Sequence, residues 1–96
     1  MYTGIAGERM KNIIFSPTAW KQYVEWQTED KRVVKKINDL IKSIMRDGML
    51  NGLGKPEKLK YRKAYSRRIT DEHRSVYDCD IHNNLIIYLC KGHYED

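Results

Sequence analysis

Apolar residues recur along this chain with two different periods, one helical and one strand-like, and a glycine-rich stretch separates them. Asn12 to Phe15 make a short apolar run with strand character. Ser16-Pro17 follows it, a hydroxyl at an N-cap position and a proline at the first helical position. From there the spacing predicts a helix over 17–28 with Trp20, Tyr23, Val24 and Gln27 on one face, a stripe expected to meet a sheet rather than to stack on bases. After a break at Thr28-Glu29-Asp30, the periodicity is strongest: Val33, Val34, Ile37, Leu40, Ile41, Ile44 and Met45 trace one stripe, with Lys35, Lys36, Asn38, Asp39 and Lys42 opposite. This predicts a second helix from near Asp30 to Gly48 and an αα-hairpin.

Between Asp47 and Pro56 no period survives among Gly48, Gly52, Gly54 and Pro56, so this segment reads as a connection. Strands are predicted at 65–70 (YSRRIT), 73–80 (HRSVYDCD) and 84–92 (NLIIYLCKG), with polar turns at Asp71-Glu72 and His82-Asn83-Asn84. The order β-α-α-β-β-β implies an α+β fold: an antiparallel sheet of about four strands with the α-hairpin packed on one face. One helical layer covers one face only. The strand alternation then lets Arg67 or Arg68, Arg74 and the end of the last strand at His93 gather on the open face.

At 96 residues the chain is long enough for one modest core, which confines any active site to its surface. Residues 1–9 are small and polar without period and are expected to be a tail, a tag remnant or an upstream extension, leaving 10–96 as the single domain. No stretch approaches the apolar length that spans a bilayer, and MYTGIAGERMKN lacks the regions of a secretory signal, so a cytoplasmic protein without membrane contact is expected. Cys79 and Cys90 lie in apolar strand runs, away from any C-x-x-C pair or histidine cluster. Buried reduced thiols are the expectation, rather than a zinc or redox site.

Charge changes the picture more than length does. The segment 55–74, KPEKLKYRKAYSRRITDEHR, carries eight basic and three acidic residues, so the whole net charge of +5 arises there. Such an excess resembles a polyanion-binding footprint, although charge runs are also found on ordinary solvated faces. Lys55, Lys58, Lys60, Arg62, Lys63, Arg67 and Arg68 are the candidates for holding a nucleic-acid backbone, contacts that position a strand rather than read its bases.

Four separated blocks, WQTEDKRVVKKINDLI, GLGKPEKLK, YSRRITDEHRSVY and the terminal KGHY, occur in order and resemble the YoeB (Txe/YoeB) branch of the RelE-type bacterial toxins, a resemblance that runs from Met10 to Tyr94. The resemblance implies a microbial-RNase-like fold and a ribosome-dependent endoribonuclease cutting mRNA in the decoding A site. It also implies a homodimer, a YefM-type antitoxin as partner, and operator DNA met only as the toxin–antitoxin complex. It carries the catalytic roles onto Glu57 of GKPE, Arg74 of EHR, and the terminal His93 and Tyr94. The chain departs from the family pattern at Gly48-Met49, where Pro-Phe is usual, at Lys58, where proline is usual, and at Ala64-Tyr65, where a longer connection carries glycine and tryptophan.

Those residue types suit RNA cleavage. RNA supplies its own nucleophile, the 2′-hydroxyl, so the protein needs a base, an acid for the departing 5′-oxygen and cations for the crowded phosphorane, without metal or other cofactor. Glu57 is the candidate base, His93 the acid, Arg74 the phosphate brace with Arg67 or Arg68 assisting, and Tyr94 an orienting group. Each has a plainer reading: Glu57 in a surface ion pair, Arg74 in a cross-strand pair, His93 and Tyr94 as a frayed end. His73 competes as the acid, but its side chain is expected on the opposite sheet face; His82 is expected to be solvated in its turn. The alternatives to catalysis are a non-catalytic nucleic-acid-binding module or co-repressor subunit, and a structural partner that receives an acidic helix.

Overall fold

The computed structural model describes residues 10–93; the proposed tail at 1–9 and Tyr94 lie outside them. Strand β1 (Ile13–Phe15) leads directly into helix α1 (Pro17–Glu29). Ser16 caps the helix, its Oγ accepting from the Ala19 amide at 3.0 Å while donating to the Tyr88 carbonyl at 2.9 Å, so the cap also ties the helix start to the sheet. Asp30 alone separates α1 from α2 (Lys31–Asp47): its amide closes α1 on the Trp26 carbonyl, and its carboxylate caps α2 at the Arg32 amide. The α2 stripe is buried as its periodicity predicts, through Val33, Ile37, Leu40, Ile41 and Ile44.

The α1 stripe is rotated from its expected setting. Ala19 and Trp26 are its buried residues, whereas Trp20 and Val24 are 55% and 47% exposed. Spacings of three and four fit either row on a helix. Packing selects the Ala19 row because a methyl side chain lets the helix approach β5, and because the Trp26 indole N–H finds the Cys90 carbonyl at 2.9 Å. Trp20 stays at the rim, against Phe15 and Tyr23.

The sheet contains β1, β2 (Glu57–Lys58), β3 (Tyr65–Arg68), β4 (Arg74–Cys79) and β5 (Leu85–Leu89), in the spatial order β1-β5-β4-β3-β2. The α+β layering and the β3-β4-β5 meander agree with the sequence reading. Two features go beyond it. The sheet is mixed, because β1 runs parallel to β5, pairing Ile13 with Leu85 and Phe15 with Ile87. A fifth strand, β2, adds an edge against β3, pairing Glu57 with Ser66. A two-residue strand after a glycine-rich loop has no period to detect, and the direction of a pairing between residues about seventy apart is set by the crossover, not by local pattern.

The main core lies between the helices and one sheet face, and gathers Ile69, Tyr77, Leu85, Ile87 and Cys90 under α1 and α2. A second, small cluster of Leu59, Ala64 and Val76 is flanked by Tyr88 and Leu89. The segment 59–64 therefore covers part of the face expected to be open. Cys90 is buried and its thiol is pushed up to about 12 by burial; Cys79 is half-buried and shifted the same way; both are free thiols. Among the described residues no helix is long and apolar enough to cross a membrane.

Candidate active site

Glu57 reaches the sheet edge on a loop fastened from below. Arg67 is fully buried and donates to Ser43 Oγ, the Leu53, Gly48 and Asn51 carbonyls and the Tyr77 hydroxyl, at 2.6–3.0 Å. The Tyr77 hydroxyl in turn donates to the Met49 carbonyl at 2.6 Å. These bonds satisfy carbonyls of a loop that has no ladder of its own. At the end of this loop Gly54 takes φ +87, and a Cβ there would stand 2.6 Å from Leu40 Cδ2; its carbonyl accepts from the Arg68 amide at 2.7 Å. The chain then passes through Lys55 and Pro56 to Glu57.

Arg67 therefore corrects the expectation that it assists at the phosphate. Its flanking residues in alternation, Tyr65 and Ile69, are apolar, and that signal assigns all three to the helical side. Arg68 takes the other direction and is exposed, directly opposite Arg74 in the β3–β4 pairing.

Arg74 stands at the centre of the site. Its Nη2 donates to Glu57 Oε1 at 2.7 Å and to Ser66 Oγ at 2.9 Å, and its Nε to the same Oγ at 3.3 Å. The guanidinium is largely enclosed, 14% exposed, while the Glu57 carboxylate is 63% exposed and open to a ligand. Ser66 was not anticipated; it is buried, and its register opposite Val76 and Glu57 puts it on the same face. The Arg74 amide donates to the Gly92 carbonyl at 3.0 Å, which brings the C-terminal segment alongside β4 one residue before His93. His93 is exposed there.

The remaining cations lie at several places along the sheet and its loops. Lys55 and Arg68, with Lys36 of α2, line a cleft of about 330 Å³ whose other walls are Gly54, Ile69, Thr70 and Asp71. Lys36 was not anticipated, because on its helix it reads as one more solvated lysine. Lys58 lies over the Tyr65 ring and Arg62 over the Tyr88 ring. Lys60 and Lys63 are exposed on the segment covering the small cluster. The carboxylate and the braced guanidinium are in direct contact, and the backbone beside His93 is tied to Arg74; residue types of this kind suit proton transfer around a phosphodiester.

A family model described as the YoeB-like toxin of bacterial type II toxin–antitoxin systems matches residues 15–94. The chain belongs to the YoeB toxin family. Toxin YoeB of Escherichia coli strain K12 is 48% identical over 84 residues, covering 85% of this chain and 98% of that protein. The YoeB dimer from Staphylococcus aureus superposes with a TM-score of 0.82 at 53% identity, covering 91% of this chain and all of the other. In the heterotetrameric YoeB–YefM toxin–antitoxin complex of the same organism the YoeB fold matches with a TM-score of 0.80 at 54% identity. The YoeB match spans the positions of Glu57, Arg74 and His93, of which the first two are in direct contact.

Proposed function

We propose that this YoeB-family toxin is a ribosome-dependent endoribonuclease that cleaves mRNA in the A site by metal-free acid–base transesterification. The observation that carries the reading is the double engagement of Arg74, whose side chain holds Glu57 and Ser66 while its backbone holds the residue before His93. A phosphodiester entering the site exchanges part of the Arg74–Glu57 pairing for its own non-bridging oxygens. Glu57 then takes the proton of the 2′-hydroxyl, whose oxygen attacks phosphorus. Arg74 neutralises charge on the phosphorane, and His93 gives a proton to the departing 5′-oxygen. The products are a 2′,3′-cyclic phosphate and a 5′-hydroxyl end. Tyr94 has the orienting role implied by the family motif.

Lys55, Lys60, Lys63 and Arg68 are exposed and suit contacts to phosphates of mRNA and ribosomal RNA. By analogy with the Staphylococcus aureus dimer and YoeB–YefM complex, the protein pairs with itself and with a YefM-type antitoxin. The antitoxin segment is expected to be acidic and to fold onto the basic face or hold the C-terminal residues out of line.

The test is addition of the purified protein to a cell-free translation reaction with mapping of mRNA 5′ ends. Cuts that disappear in the Glu57→Gln, His93→Gln double variant are expected. Uncut mRNA, or cutting indifferent to that double substitution, overturns the proposal; inhibition of translation without cutting identifies a non-catalytic module.

A further inference from the structure

His73 precedes Arg74 and points away from it, toward α1, where its ring meets the Trp26 indole edge-on with centroids 4.8 Å apart and an interplanar angle of 86°. Its Nδ1 accepts the Gly92 amide at 2.8 Å. With the Gly92 N–H pointing at Nδ1, the ring proton lies on Nε2; what removes His73 as the competing acid is that its ring packs on α1 and not at the Glu57–Arg74 pair.

The surrounding bonds give this contact its meaning. Strand β5 ends at Leu89. Beyond it, the Cys90 amide donates to Gln22 Oε1 at 2.7 Å, the Cys90 carbonyl accepts from Trp26 Nε1, and the Lys91 ammonium lies over Trp26 and pairs with Glu25 and Glu29. At Gly92 the chain turns with φ +94, its carbonyl held by the Arg74 amide and its amide by His73. His93 follows immediately. Both hydrogen-bonding groups of the Gly92 residue are thus fixed by consecutive residues of the segment that also presents Arg74.

We propose that His73 is a positioning residue: by holding the Gly92 amide it fixes the direction in which His93 leaves the sheet toward the Glu57–Arg74 pair. This rests on the reading of His93 as the proton donor. A single lost hydrogen bond has a modest effect on folding, whereas a displacement of about 1 Å of a reacting group slows catalysis by up to about 100-fold. The role is therefore visible in rate far more than in stability.

The experiment compares His73→Leu, which removes the acceptor, with His73→Asn, whose Oδ1 replaces Nδ1. Ribosome-dependent mRNA cleavage and the ¹⁵N-resolved amide signals of Gly92 and His93 are measured for each. His73→Leu is expected to lower kcat about 10–100-fold with KM little changed, and to shift the Gly92 amide proton upfield. His73→Asn is expected to recover most of both. In a His93→Gln background, His73→Leu is expected to have no further effect on rate. Unchanged kcat in His73→Leu, absence of recovery in His73→Asn while it folds normally, or additive losses with His93→Gln overturn the positioning role alone. Uncut mRNA with the parent protein overturns the ribonuclease reading and this role with it, while the Gly92 amide still reports whether the hydrogen bond exists.

Discussion

Arg74 and Glu57 are joined by a 2.7 Å hydrogen bond that crosses from the first residue of β4 to the first residue of the edge strand β2, over Ser66 of β3 between them. The pair holds the site in order before any ligand arrives. It also pairs the group proposed to accept a proton with the group proposed to hold the phosphate, so binding and activation of the base occur together.

Substituting Arg74 by lysine keeps the charge but loses the fork that spans Glu57 and Ser66. The cleavage rate is expected to fall about 10²–10³-fold, the range for removing one anion-stabilising donor. Stability is expected to change by no more than about 1 kcal/mol, because the partner carboxylate is mostly exposed. Primer-extension rates with ribosomes and urea denaturation measure the two effects; a fall in stability that accounts for the lost activity would contradict the assignment.

Arg67 lies in the core and is expected to behave in the opposite way. Arg67→Met leaves the Gly48, Asn51 and Leu53 carbonyls without their donor. A loss of about 3 kcal/mol or more in unfolding free energy is expected, read from the urea midpoint. Arg67→Lys is expected to recover less than half, since one ammonium cannot reach five acceptors in different directions.

Gly54 and Gly48 both have positive φ, but only Gly54 is crowded, by Leu40, Arg67 and the Arg68 carbonyl. Gly54→Ala is expected to destabilise by about 2–3 kcal/mol, combining backbone strain with overpacking. Gly48→Ala, with nothing within 4 Å, is expected to cost about 1 kcal/mol. Equal thermal midpoints for the two variants would show that the loop yields at Gly54.

Asp80 holds the β4–β5 turn, its Oδ1 accepting from the His82 and Asn84 amides at 2.9 Å and its Oδ2 from Asn84 Nδ2 at 3.1 Å. These bonds, that from the Asn84 amide first, hold its carboxyl below the ordinary value of 3.8. The folded state therefore favours the ionised form. The resulting stability is present above the unfolded-state value and is lost as pH falls through the lower folded value. Asp80→Asn, which does not titrate, is expected to show a shallower decline in stability than the parent between about pH 5 and pH 2; parallel urea-midpoint curves would refute this.

Much of the molecule was legible in its sequence where the signal is local. Ser16-Pro17, Asp30 and the stripe from Val33 to Ile44 define the helices because capping and amphipathic spacing act within a few residues. The three meander strands follow from alternation and polar turns. What escaped was long-range: the parallel pairing of β1, the two-residue β2, the choice between the Trp20 and Ala19 rows, and the contact of His73 with Gly92, nineteen residues apart.

The sequence by itself determined the element order, the concentration of positive charge between Lys55 and Arg74, and the presence of a carboxylate, a guanidinium and an imidazole. Alternation also put neighbouring arginines on opposite faces. Only the tertiary structure decided which face the helices cover, and so made Arg67 a buried fastening for the loop while leaving Arg68 exposed. The physical reason is that strand periodicity fixes relative direction along one strand, whereas burial depends on what packs against it from elsewhere in the chain.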